Sequence, residues 1–372
     1  MGSTWLTNGF ICRELYAPFS VEKDSDYYYD LRRLFDLVLR QAKKANADDS
    51  SIKIIEKCKK KILEAVRCRY RADVAKSNTI ILNLLKDIGR NPLAVSPLEE
   101  SYAFPGRGQE LQLFRCRVGN PSRAFSAGDM LYLPKDLRAK SGSYRFSIPG
   151  CPSYYLANSS YGCWIEMGFP PENEFNVSPV VLDGSQKIFN LAISIKYFEG
   201  LDELDEERVN CWLKLFMLMV ATSYKINESG RTFKSEYIVS QAVMMACKKL
   251  GYDGVAYFSR RVSDVSFAFC AINLALFVDY TKKGSSLCRH IKIDDSYNYS
   301  LFRQLKPESK YRQYDLRVVH NPLTVNIGGY GRQYAYRETE FYSFDSFVFS
   351  SWRDRLDGKG KNDISWDINA DY

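Results

Sequence analysis

Residues 143–166 read SYRFSIPGCPSYYLANSSYGCWIE. Ser153–Ala157 (SYYLA) has the composition of a short strand. Asn158-Ser159-Ser160 is turn and helix-start chemistry, and Glu166 is expected at the start of the helix that follows. A strand–turn–helix unit of this kind can gather Arg145, Tyr155 and Glu166 around one pocket mouth. Just upstream, Leu111–Val118 (LQLFRCRV) alternates like a strand. Arg115 and Arg117 lie two apart on it and so share a face. Each residue also has an ordinary reading: a surface charge, a core ring, a helix-face acid. The functional reading rests on taking them jointly.

Working outward, Val180–Leu182, Lys187–Ile193 and Val255–Phe258 read as strands, and Ala268–Val278 ends in the apolar run INLALFV of a buried one. Helices are expected over about Glu206–Ser223 and Ser235–Leu250. Strands and helices without regular βα alternation argue an α+β fold rather than a doubly wound sheet. Before this core, three amphipathic segments (about Asp26–Ala45, Ser51–Arg71 and Lys76–Ile88) suggest a bundle of three antiparallel helices. Gly89 and Pro92 stop the last one. A Pro/Gly-rich linker at 91–108 marks a domain boundary. After about residue 311 the chain is rich in Tyr, Phe, Val and Arg and reads as a β-rich extension. Gly328-Gly329-Tyr330-Gly331 reads as a hairpin turn rather than a phosphate loop, and the last fifteen residues as a tail.

Composition narrows the chemistry. The chain has 372 residues, 45% hydrophobic and 26% charged, with 26 Tyr and 22 Phe. That is a globular composition. Two histidines, His290 and His320, argue against a His-rich metal site or a His-based triad. The ten cysteines form no CxxC pair, so no zinc ribbon is expected. The net charge of +8 suits an anionic ligand without choosing one. Lys57, Lys59, Lys60 and Lys61 crowd the second helix. A solvated face or partner surface is the favoured reading of that run, over nucleic acid, because no aromatics interleave to stack bases. No apolar run reaches membrane-spanning length and no signal-like leader opens the chain, so a soluble, cytoplasmic protein with reduced thiols is expected.

The ordered pattern resembles the RES domain, a family named for its Arg, Glu and Ser residues. LFRCRV looks like its first strand. The 143–166 block looks like its centre, with Arg145, Gly150, Tyr155, Ser159 and Glu166. SEYIVSQAVMMACKKLGYDGVAYFSRR (235–261) looks like its helix-then-strand block, whose Ser falls at Ser259. INLALF, with Asn273 and Phe277, looks like its closing strand. Two positions depart: Tyr144 stands where the family has Gly, and Ser147 where it has Asn. The resemblance covers about residues 104–285. It divides the chain into an N-terminal helical region (1–100), a RES-like catalytic domain (104–285) and a C-terminal extension (286–372).

The resemblance implies an ADP-ribosyltransferase-like mixed β core with flanking helices, and an enzyme that acts on NAD. Cleavage of the nicotinamide–ribose bond by phosphorolysis or hydrolysis is the first expectation. Transfer of ADP-ribose to a protein is an alternative, and a non-catalytic binding or regulatory module a second. Arg145, Tyr155, Glu166 and Ser259 are implied as catalytic, and Arg115, Arg117, Arg145, Ser159 and Asn273 as NAD-binding. The chemistry agrees. An Arg fork suits a diphosphate. A carboxylate beneath the anomeric carbon stabilises the positive charge that builds there. Ser259 is expected to hydrogen-bond the diphosphate or the acceptor, not to act as a covalent nucleophile. Inorganic phosphate is a candidate co-substrate, and no metal is required. A toxin is expected, in a toxin–antitoxin pair or in antiviral defence. Its partner would be an antitoxin or regulatory protein, or a second copy of the chain, with no membrane partner. The flanking helices and C-terminal extension are read as regulatory.

Overall fold

The computed structural model describes residues 4–6, 10–23, 25–104, 111–119, 124–193, 205–226, 230–261, 271–280, 290–305, 336 and 339–356. In chain order its helices are α1 (Tyr27–Lys44), α2 (Asp49–Tyr70), α3 (Val74–Ile88), α4 (Ala127–Met130), α5 (Ser160–Glu166), α6 (Glu206–Ala221), α7 (Ile238–Lys249), α8 (Tyr299–Leu305) and α9 (Glu340–Leu356). Its strands are β1 (Val95–Pro97), β2 (Leu113–Val118), β3 (Ser153–Ala157), β4 (Phe175–Leu182), β5 (Lys187–Asn190), β6 (Gly254–Phe258), β7 (Ile272–Phe277), β8 (Ile291–Ile293) and β9 (Tyr297–Asn298). This is the expected α+β class, with both parallel and antiparallel strand pairs. The chain forms two compact units. The first comprises Met1–Arg107, Gly142–Gly150 and Gln186–Arg260, and the second Gly108–Ser141, Cys151–Ser185 and Arg261–Tyr372.

In the first unit, α1–α3 start where acidic N-caps put them. Asp26, Asp48 and Asp73 accept from the backbone amides of Tyr29, Ser51 and Lys76. Leu31, Phe35, Val38 and Ala42 form the buried stripe of α1; Ile55, Ile62 and Val66 form that of α2. These helices do not close as a bundle of three. α6 packs against α2, and α7 packs against α3. α6 and α7 are apolar on most of their circumference, with Trp212, Phe216 and Val243 buried. The hydroxyl of Tyr27 donates to the carbonyl of Ala221 at 2.6 Å, tying α1 to the end of α6. β5 pairs with β1 antiparallel and with β6 parallel, α6 and α7 lying in the crossover between β5 and β6. Three of the four lysines of the run are paired on the surface. Lys57 and Lys61 meet Asp87 at 2.8 and 3.3 Å, and Lys59 pairs with Asp36.

The second unit is an antiparallel sheet in the order β7-β3-β2-β4-β8, with β9 also on β4. One face carries Phe114, Cys116, Ala157 and Val177, and packs against Cys163 of α5, Tyr299 of α8 and Phe344, Val348, Phe349 and Trp352 of α9. The helix α9 corrects the expectation of a β-rich extension: the described part of the last sixty residues is helical. The reason is that Phe344, Val348 and Trp352 recur at helical spacing and bury one stripe. The Gly328–Gly331 turn, the terminal tail, His320, Cys270 and Cys288 lie outside the described residues. The eight described cysteines are free thiols, most of them buried.

Candidate active site

Glu166 is the last residue of α5, not near its start as the sequence suggested. A helix of seven residues cannot sustain itself, so its position is set by what grips its ends. The Ser159 hydroxyl caps it by accepting from the amide of Gly162 at 2.9 Å. The expected NAD ligand Ser159 is thus a buried cap residue. Ser159→Ala should lower unfolding stability by about 1 kcal/mol. Denaturant titration checks this, and an unchanged midpoint would remove the cap from the account.

Beyond Glu166 the chain turns sharply, with Gly168 and Phe169 at φ +83° and +59°. The amide of Phe169 returns to the carbonyl of Trp164 at 3.1 Å, and the Trp164 indole donates to the carbonyl of Pro170 at 3.0 Å. Only a glycine fits easily at 168. Besides the left-handed backbone, an added Cβ would sit 3.2 Å from Nη1 of Arg261.

Among the described residues, two side chains face the Glu166 carboxylate. The Asn273 amide donates to Oε1 at 2.7 Å, and Nε of Arg261 lies 4.0 Å from Oε2. Asn273 is on β7 opposite Ala157 of β3, so the sheet fixes the amide that orients the acid. The Glu166 side chain keeps 34% of its surface exposed and Arg261 51%, so a carboxylate and a guanidinium stand side by side within reach of solvent. Arg261 is not among the residues the RES resemblance implies for the site. The doubled Arg260-Arg261 after the β6 strand was the available signal.

Tyr155 shares the Asn273 face of the sheet, and Arg115 and Arg117 do not. Arg115 and Arg117 do share a face, as their spacing requires. Phe114 pairs with Ala157, and Ala157 shares its face with Tyr155 and with Asn273 across the ladder. The two arginines therefore project from the opposite face and do not surround Glu166. There Arg115 lies over the Tyr154 ring at 5.4 Å and donates to the Tyr155 carbonyl at 3.1 Å. Arg117 lies over the Phe125 ring at 5.8 Å. Burial, and after it the neighbouring charge of Arg115, hold the Arg117 guanidinium below its usual pKa.

Arg145 and Ser259 belong to the first unit. Arg145 is buried, and its Nη1 and Nη2 donate to the carbonyls of Thr222 and Tyr224, the latter at 2.8 Å. Its guanidinium stacks on Tyr237 at 5.1 Å. The expected diphosphate fork is thus engaged with the backbone. The loop around it is held by Gln241, whose amide donates to the Ser143 hydroxyl at 2.8 Å and to the Ser147 carbonyl at 3.1 Å. Ser259 is buried directly after β6.

Among the described residues no group of three or more His, Cys, Asp or Glu side chains is placed to hold a metal ion. No described helix is long and apolar enough to cross a membrane.

No protein-family model matches the chain. Among solved structures it is similar to the toxin–antitoxin complex MbcT-MbcA of M. tuberculosis, at TM-score 0.31 and 12% identity over 60% of this chain and 96% of that one. That likeness is too slight to define a fold. By sequence it is similar to a protein of Bacillus subtilis (strain 168) named "Putative toxin YopC": 27% identical over 260 residues, 64% of this chain. The match spans 56% of that relative's length.

Proposed function

We propose that this chain is a toxin whose activity is cleavage of the nicotinamide–ribose bond of NAD, with Glu166 as the acting carboxylate. The observation that carries the reading is the Glu166–Asn273 pair. An acid is fixed through one oxygen by a sheet-borne amide, leaving its other oxygen toward solvent and a neighbouring guanidinium. In such a site Glu166 would lie against the sugar and stabilise positive charge on the anomeric carbon. The bonding pair leaves on the nicotinamide nitrogen. An acceptor oxygen then bonds to the anomeric carbon and releases its proton to solvent. Arg261 would offset the negative charge of the diphosphate or of the acceptor. Tyr155 and Asn273 would bound the sugar side of the site. The RES resemblance also names Arg115 and Arg117 as phosphate ligands; lying on the other sheet face from Asn273, they are left out of this site, and substituting them tests that. Arg145 and Ser259 are carried by the RES resemblance, and their own substitutions test them.

The toxin reading draws on the RES-like order of motifs over 104–285 and on the named relative. It brings with it a neutralising antitoxin or regulatory partner and a cytoplasmic site of action. In this reading the catalytic residues lie within 104–285, the RES-like span, and 1–100 and 286–372 flank it in sequence.

Purified protein incubated with NAD, with and without inorganic phosphate, tests the activity. Nicotinamide is expected with phosphate present. ADP-ribose 1″-phosphate formed with phosphate, and little or no nicotinamide without it, would identify phosphorolysis. The same free ADP-ribose in both would identify hydrolysis. Label retained on a protein would identify ADP-ribosyl transfer. Absence of nicotinamide under every condition would sink the reading.

A further inference from the structure

The start of α5 is held from a distant part of the chain. Asp345 of α9 is buried, 5% exposed, and its Oδ1 accepts from the backbone amide of Ser160 at 3.1 Å. Its Oδ2 accepts from the Tyr336 hydroxyl at 2.6 Å. A buried carboxylate ordinarily has a cation beside it. Among the described residues its partners are an amide and a phenol. Among the described residues, the other titratable groups facing Asp345 are Cys163 of α5 and Tyr299 of α8, whose pKa values burial raises, leaving both uncharged at neutral pH. Glu340, at the start of α9, is paired with Arg303 at 3.0 Å. Burial therefore pushes the Asp345 carboxyl up to about 7, against the opposing pull of its two donors.

The geometry links this group to the candidate site. Asp345 grips the first residue of a seven-residue helix, and Glu166 is the last. The aromatic stripe of α9 holds Asp345 itself in place through Phe344, Val348, Phe349 and Trp352. Charged Asp345 is the stronger acceptor for the Ser160 amide, and neutral Asp345 the weaker. We propose that Asp345 is a positioning residue: through its charge state it sets how firmly α5 presents Glu166, making the C-terminal helix a pH-responsive part of the site. The proposal rests on the NAD-cleaving reading for its effect on rate.

The test measures kcat and KM for NAD at about pH 6 and about pH 8 in the wild type, Asp345→Asn and Tyr336→Phe. Wild-type kcat is expected to rise about tenfold between the two, at constant KM, as Asp345 ionises and α5 is drawn into place. Asp345→Asn, a neutral isostere that removes a buried charge, should fold, match the wild type at the lower pH and lack the rise. Tyr336→Phe removes a donor from the charged form and should move the midpoint to higher pH. A purely packing role predicts the same fractional loss at both pH values. A full rise retained in Asp345→Asn would overturn the proposal.

If the wild type releases no nicotinamide, the NAD reading fails. The positioning role is then read from the backbone amide resonances of Ser160 and Glu166 in labelled protein. A shared titration in the wild type that is lost in Asp345→Asn upholds it. A response at Ser160 with none at Glu166, or no titration at either, overturns it.

Discussion

Replacing Glu166 by Gln should lower nicotinamide release from NAD by about 100- to 1000-fold while leaving the fold intact. The Gln carbonyl can still accept from Asn273, so the contact with β7 is kept. What is lost is a fixed negative charge where positive charge develops, the kind of preorganised interaction whose removal costs rates of that order. Arg261 would also lose its acidic neighbour at 4.0 Å. This pair is half exposed, so little folding stability depends on it. Thermal unfolding and single-turnover assays of the same preparation separate the two effects. A variant with wild-type melting and wild-type rate would remove Glu166 from the chemistry and leave the proposed activity without its acid.

The second large effect is expected in stability rather than rate. Arg145→Ala deletes two charge-assisted hydrogen bonds to buried backbone carbonyls and a contact with the Tyr237 ring. Such bonds contribute about 1.5–3 kcal/mol each, and carbonyls left without partners add to the loss. The variant should lose about 3–6 kcal/mol, on the order of 4–8 °C in Tm. Arg145→Lys keeps the charge but not the planar fork, and should recover only part of it. If Arg145 instead bound the diphosphate, both variants would melt like the wild type and show a raised KM for NAD. That pattern would restore the role that the RES resemblance implies and contradict the structural one.

The parts of this fold that could be read from sequence were those in which local chemistry and burial agree. α1 to α3 combine acidic caps with apolar stripes, and the expected ends fall within two residues of those observed. β3 and β7 were legible as tyrosine-rich and apolar runs. β4 was seen only from Val180 onward, because Asn176, Ser178 and Pro179 interrupt its first half. Pro179 is tolerated because β9 pairs at Asn176–Val177 and β8 at Val180–Leu182, leaving it in the gap between them. α9 was missed because Phe, Tyr and Val suggest strand, although the stripe from Phe344 through Val348 to Trp352 already carried a helical period.

Site residues were harder to read for a geometric reason. Spacing of two says that Arg115 and Arg117 share a face. Only the pairing of Phe114 with Ala157 says which face. Nor does a sequence show that an Arg has spent its donors on carbonyls about eighty residues away, as Arg145 has. Asp345 lay beyond the recognised motifs, and its link to α5 is long-range.

The interleaving of segments has a consequence for synthesis and for truncation. The first unit draws on residues up to Arg107, then on Gly142–Gly150 and Gln186–Arg260. Its opening helices find the partners α6 and α7 more than a hundred positions downstream. On the ribosome, α1–α3 can pack only on one another until α7 has emerged, an interval in which a chaperone or a partner could claim the surfaces that await α6 and α7. For the same reason, trimming away the first ninety residues would strip the inner surfaces of α6 and α7 rather than release a self-contained core.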